Sequence, residues 1–147
     1  VFKKFHETGE FDEKEIYSYI TEGIGEDILP KNVNFDIIDH FEKVTDADGA
    51  VMSRKLAQLE GLFLGYSCGS AMQGLILMKD KLTKDDVVVI IFHDHGSRYV
   101  AKVYNDEWMA KNNFLDKYNA SRTPLQVAGA AFKDDFEASI PKECSWL

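Results

Sequence analysis

The spacing of apolar positions changes several times along the chain, and each change marks an element. Residues 16–21 (IYSYIT) set Ile16, Ser18 and Ile20 against Tyr17, Tyr19 and Thr21; this alternation and its β-branched and aromatic content predict a strand. Residues 22–30 (EGIGEDILP) interrupt it, because two glycines admit unusual backbone angles and Pro30 forces Leu29 into an extended shape. A short helical turn is expected over 34–40, around Ile37 and Ile38, and a short strand over 41–44. From Thr45 onward Val51, Met52, Leu56 and Leu59 recur at helical spacing. Thr45 or Asp46 stands at the N-cap, and Gly61 stands where a left-handed C-terminal cap belongs. An apolar run, 62–64, leads into Gly65 and Gly69, which frame Ser67. The second helix, 68–82, carries Met72, Leu75, Ile76 and Leu82 on one side, and Gly69, Ser70, Ala71 and Gly74 allow close packing near its start.

After a turn at 83–86, residues 87–92 (VVVIIF) are continuously apolar, the pattern of a strand buried on both faces of a parallel sheet. Residues 93–98 (HDHGSR) form the loop at that strand's C-terminal end, where ligands collect in open α/β sheets. A short helix is expected over 106–112 around Trp108 and Met109. Residues 1–15 read as a surface segment with one amphipathic turn, and after Leu115 the periodicity fades. The order strand, loop, strand, helix, strand, helix, strand gives an α/β layer with mostly parallel pairing. Residues 1–115 form its body, and 116–147 are a tail or linker.

Composition narrows the partners. The 147 residues are 45% hydrophobic, enough for one domain's core, and 17 basic against 25 acidic side chains leave a net charge of -8. An acidic chain without Lys/Arg clusters argues against nucleic acid. The longest apolar run is the one at 87–92, so no segment reaches membrane-spanning length. Cys68 and Cys144 show neither metal spacing nor a disulfide framework, which places the chain in a reducing, cytoplasmic setting. Val1 stands where an initiator Met would, and the chain is expected to be part of a longer polypeptide.

The candidate chemistry gathers around residues 60–71 (EGLFLGYSCGSA), where a strand passes through a glycine-rich turn into a helix N-terminus. Gly65-Tyr66-Ser67-Cys68-Gly69 fits the G-x-S-x-G of a nucleophile elbow, and Asp94 and His95 follow in hydrolase order. Adjacent residues on one loop do not easily let the acid orient the base from behind, however, so a serine hydrolase is the minor reading. His93 and His95 could share a metal, but a hydrogen-bonded loop closing a strand end is several times more common. Cys68 at a helix start could be a nucleophile; a small packing residue is the plainer reading. Glu22, between Thr21 and Gly23, is either a functional carboxylate or a solvated loop acid.

Four blocks in order and at suitable spacing resemble one family. They are EGIGEDILPKN (22–32), EGLFLGYSCGSA (60–71), DDVVVIIFHDHGSRY (85–99) and KVYNDEWMAKNNFL (102–115). Together they look like the C-terminal part of the catalytic domain of cystathionine β-synthases and cysteine synthases, the β-family or fold-type II pyridoxal-phosphate enzymes. The last block resembles the cystathionine β-synthase branch more. The resemblance covers 16–115.

It implies an incomplete three-layer α/β domain, a mostly parallel sheet flanked by helices, with pyridoxal 5'-phosphate as cofactor. Ser67 would face the pyridine nitrogen of that cofactor. A neutral hydroxyl there makes the ring a weaker electron sink than a carboxylate would, which favours β-replacement over transamination. Gly23 and Gly25 would belong to the loop that moves near the substrate, and Glu22 matches a carboxylate of the cystathionine β-synthase branch. The implied partners are small amino-acid and thiol substrates and a second subunit in a homodimer. The sequence departs from the family at His93-Asp94-His95, where Pro-Asp-Ser or Pro-Ser-Ser is usual. The family's Schiff-base lysine and its phosphate-binding loop come from upstream of these blocks, so this chain alone is expected to be inactive.

Overall fold

Two helices that meet at glycines hold the molecule together in the computed structural model, which describes residues 1–122. The first helix of the chain, α1 (Phe2–Thr8), buries no residue of its own. Its Phe2 and Phe5 rings instead meet Phe35 at centroid distances of 5.6 and 4.9 Å, edge to face. Phe35 opens a 3₁₀ turn, Phe35–Ile37, where the Asn34 side chain accepts the Asp36 N–H. This aromatic pad is the expected turn at 34–40 in tighter form.

Helix α2 (Asp46–Glu60) runs between the caps its sequence predicts. The Thr45 hydroxyl accepts the Asp48 N–H, and Asp46 and Asp48 place negative charge at the positive end of the helix. At the other end Gly61 turns left-handed at φ 68°, and the Leu62 N–H closes on the Leu56 carbonyl at 3.2 Å. Val51, Met52 and Leu56 are buried, as their spacing requires. Leu59 keeps the period but is 60% exposed.

Helix α3 (Tyr66–Leu77) starts two residues before the expected position and stops earlier, with a separate 3₁₀ turn over Lys79–Lys81. Its burial lies at the small-residue end. Tyr66 to Ser70 are buried, whereas Ile76 on the expected apolar side is 37% exposed. The close packing is enforced at Gly49 and Gly69. A Cβ on Gly69 would lie 2.3 Å from the Gly49 carbonyl oxygen and 2.6 Å from the Ser53 nitrogen, and one on Gly49 would lie 2.3 Å from the Ser70 Oγ. Buried Ser53 donates to the Gly49 carbonyl at 3.0 Å, with the Gly65 carbonyl at 3.2 Å.

Helix α4 (Asp106–Lys111), capped by the Asn105 side chain, and helix α5 (Leu115–Ala120) complete the core. Met109, Phe114 and Tyr118 pack with Ala50, Val51, Tyr66, Tyr99 and Val103. Buried Arg54 crosses this cluster. Its Nε donates to the Val103 carbonyl, its Nη1 reaches Asp106 at 2.6 Å, and its guanidinium lies 4.8 Å over the Tyr118 ring. The packed body therefore continues through Ala120, beyond residue 115. Of the tail expected over 116–147, residues 123–147 lie outside the described residues.

The structure departs from the sequence reading in its strands. Among the described residues the only β pairing is an isolated antiparallel bridge between Leu64 and His95. It is made by the Gly65 N–H to the Asp94 carbonyl at 3.1 Å and the Gly96 N–H to the Phe63 carbonyl at 3.0 Å. Segments 16–21, 41–44 and 87–92 form no strand. The doubly buried strand expected at 87–92 is instead exposed, with Val87 at 93% and Val89 at 85%. A helix satisfies its own backbone, but a strand borrows donors and acceptors from a neighbour, and no described segment supplies them. No helix among the described residues is long and apolar enough to cross a membrane.

Candidate functional site

The turn from Phe63 through Gly65 into α3 puts Ser67 in the first helical turn, on the wall of a cavity of about 880 Å³. Ser70, one turn on, lines the same cavity, and its buried Oγ has no partner among the described residues. Ser67 itself is 3% exposed, and its Oγ lies 2.6 Å from the His93 Nε2.

Asp94 explains why His93 can reach it. The Asp94 carboxylate rests on Gly65, where a Cβ would come within 1.7 Å of its Oδ1. There it accepts the Tyr99 hydroxyl at 2.8 Å and the Cys68 thiol at 3.2 Å. Asp94 thus points back into the turn and fastens the loop to α3. Burial and the adjacent Asp94 carboxylate push the Tyr99 hydroxyl up to about 12. Burial also pushes the Cys68 thiol up; the Asp94 carboxylate adds to this, against backbone contacts to Asp94 and His93. A buried thiol held protonated is a poor nucleophile, which supports the packing reading of Cys68.

The loop before α2 lines the same cavity with residues 16, 17, 19 and 24–27. Its anchor is Asp46, the first residue of α2, which accepts the Ile20 N–H at 2.8 Å, the Thr21 N–H at 2.9 Å and the Thr21 hydroxyl at 2.5 Å. The Tyr66 hydroxyl donates to the Asp46 carbonyl at 2.7 Å, so loop, α2 and α3 converge on one residue. Gly23 and Gly25 adopt left-handed angles of 79° and 75°, as glycines in a breaker segment are free to do. Gly25 lines the cavity with Ser67, and its carbonyl accepts the Tyr19 hydroxyl at 3.2 Å. Glu22 and Gly23 do not line that cavity; they face the neighbouring surface, where Glu22 pairs with Lys102.

The arrangement also bears on the minor readings. His95 hydrogen-bonds Ser97 at 3.0 Å and stays out of reach of Ser67, so Asp94 and His95 do not act on that hydroxyl as a dyad. His93 does contact Ser67, yet among the described residues no carboxylate holds its other ring nitrogen as a triad acid would. The donor atoms of Cys68, His93 and Asp94 lie within 4.8 Å of one another, a different set from the His93–His95 pair. Each already has a protein partner. The sequence reading missed Asp46 as the loop anchor and His93 as the neighbour of Ser67. Only Asp46 left a signal, as an acid at a helix start, and that signal is fully accounted for by capping.

Comparison with known proteins bears on the same residues. The family described as "Pyridoxal-phosphate dependent enzyme" matches residues 1–94. The cystathionine β-synthase of Dictyostelium discoideum is 35% identical over 128 residues, covering 85% of this chain and 25% of that protein. That of Saccharomyces cerevisiae is 36% identical over 137 residues, covering 88% of this chain and 27% of the relative. The N-(2-amino-2-carboxyethyl)-L-glutamate synthase of Ralstonia nicotianae is 35% identical over 89 residues, or 60% of the chain and 26% of that enzyme. The chain spans about a quarter of the length of these curated relatives. A match across more than half of its length, ending at the Asp94 that fastens the Ser67 turn, places the chain in the family of pyridoxal-phosphate dependent enzymes.

Proposed function

We propose that the protein carrying this chain is a pyridoxal-phosphate-dependent β-replacement enzyme that joins serine, or an activated serine, to a thiol, in the manner of a cystathionine β-synthase. The observation that carries this reading is Ser67, a buried hydroxyl on the wall of a cavity of about 880 Å³, facing the loop of Gly25. The residues fit the cofactor's ring edge. A neutral hydroxyl suits a neutral pyridine nitrogen. When bound, pyridoxal phosphate supplies the electron sink for chemistry at the amino acid's α and β carbons. Ser67 would orient the ring, the Asp94 seat keeps the turn in place, and residues 24–27 bound the substrate side, on a loop anchored through Thr21 on Asp46.

Two lysines, Lys3 and Lys43, line the cavity, and both are paired with carboxylates, Glu42 and Glu15. Neither stands ready to hold the cofactor covalently, in keeping with a Schiff-base lysine contributed by sequence outside this chain. The exposed apolar run at 87–92 then becomes a strand of the mostly parallel sheet when the rest of the domain supplies its neighbours. A cytoplasmic homodimer acting on small amino-acid and thiol substrates completes the reading.

The experiment is a product assay on the full-length protein loaded with pyridoxal phosphate. Serine with homocysteine should yield cystathionine; cysteine formed from O-acetylserine and sulfide would identify a cysteine synthase instead. A fluorophosphonate probe should leave Ser67 unlabelled. Labelling there, with no amino-acid turnover, would establish a serine hydrolase and sink the proposal. The 147-residue chain alone should form no borohydride-stable cofactor adduct.

A further inference from the structure

The contact between Ser67 and His93 has a consequence for the direction of a hydrogen bond. A serine hydroxyl has one hydrogen to give and two lone pairs to accept with. A neutral imidazole carries its hydrogen on one nitrogen only, and the other can only accept. At 2.6 Å, Ser67 Oγ and His93 Nε2 are hydrogen-bonded, so one of two arrangements holds. If the His93 Nε2 is bare, Ser67 gives its single hydrogen to His93 and shows only lone pairs to the cavity. If the Nε2 carries the hydrogen, His93 donates to Ser67, and the Ser67 hydrogen is free to point at a ligand.

We infer that His93 is a positioning residue that sets the hydrogen-bond polarity of Ser67, its Nε2–H fixing the hydroxyl as a donor toward the ring nitrogen of the bound cofactor. The inference rests on the reading of Ser67 as the ring's partner. A neutral pyridine nitrogen can only accept, so it selects the arrangement in which His93 donates. The geometry is built to hold it. Both residues line the same cavity, and Ser67 is fixed in the first turn of α3. Next to His93, Asp94 is clamped by the Gly65 N–H, the Cys68 thiol and the Tyr99 hydroxyl, which fixes the backbone from which the exposed His93 side chain reaches Ser67. Two hydrogen bonds in series, His93 to Ser67 to ring nitrogen, also polarise one another, so each is stronger than it would be alone.

The test uses the full-length protein loaded with pyridoxal phosphate and compares His93→Phe, His93→Gln, Ser67→Ala and the double variant Ser67→Ala/His93→Phe. Gln can place an amide N–H near the imidazole Nε2–H, whereas Phe keeps bulk and removes the donor. The readouts are the bound cofactor's visible absorption and fluorescence, kcat and KM separately, and the ¹⁵N shifts of His93 in histidine-labelled protein. His93→Phe should alter the cofactor spectrum and lower kcat about tenfold with little change in KM, and His93→Gln should restore both. In the Ser67→Ala background His93→Phe should add nothing, and the ¹⁵N shifts should show the hydrogen on Nε2.

A hydrogen on Nδ1 instead, equal effects of Phe and Gln, or undiminished loss in the double variant would overturn the role of His93. A cofactor spectrum unmoved by Ser67→Ala would overturn the underlying reading of Ser67, a distinct result.

Discussion

The junction of α2 with α3 and the run at 87–92 are both strongly patterned in sequence, yet only the first is a finished structure. At the junction every requirement is met within a short stretch. Thr45 and Gly61 cap α2, and Gly49 and Gly69 let the helices approach until the Ser53 hydroxyl reaches the Gly65 and Tyr66 carbonyls at the start of α3. Residues 87–92 are more hydrophobic, but Val87 and Val89 remain almost fully exposed. Hydrophobicity alone does not make a buried element. A helix brings its backbone partners with it, and a strand waits for them.

The junction is most vulnerable at Gly69. Gly69→Leu forces side-chain atoms into the Gly49 carbonyl and the Ser53 nitrogen, backbone positions that cannot turn aside. It should cost about 3 kcal/mol, read as a lowered urea midpoint of the helical circular-dichroism signal. An unchanged midpoint would mean that the helices are not held at that distance.

A smaller loss, about 2 kcal/mol, is expected for Asp46→Ala, which strips three hydrogen bonds from Ile20 and Thr21 while leaving the α2–α3 contact intact. Amide exchange should quicken at Ile20 and Thr21 and stay slow at Ser53. Uniform quickening would show that the loop and the junction are one unit.

Val89→Lys should shift the stability of the 147-residue chain by less than about 0.5 kcal/mol, because the side chain is already in water. In the full-length protein the same change should cost about 2 kcal/mol or more if a sheet closes over it. Equal and negligible losses in both would refute the proposed burial of this strand.

The same division decides what could be read from sequence. Helix α2 was legible to within one residue at its N-cap, left between Thr45 and Asp46, and at Gly61 itself, because these residues act on their own neighbourhood. Gly69 was legible as a packing device, though Gly49, the other half of the contact, was not, and Gly74 packs no closer than ordinary contact with Val44. Sheet order was not legible, because the partner of 87–92 is not specified by those residues. The site divides in the same way. Ser67 stands out through its local frame of Gly65 and Gly69, but its contact with His93 joins residues 26 apart, and the Glu22–Lys102 pair spans 80. Arg54 and Tyr118 were missed for a related reason. A buried arginine looks like a solvent-facing helix residue until the Val103 carbonyl and Asp106 are brought to it.

The seat of Asp94 on Gly65 limits the order in which this turn can change over generations. With Asp94 in place, a methyl group at position 65 meets its carboxylate at 1.7 Å, so Gly65→Ala alone drives the Asp94 side chain out of its seat. Once position 94 carries a shorter side chain, that barrier disappears, but the hydroxyl of Tyr99 and the thiol of Cys68 lose their acceptor. A lineage that gains a side chain at position 65 therefore either gives up the Asp94 seat or replaces the acid first, whereas a change at position 94 leaves Gly65 free to stay.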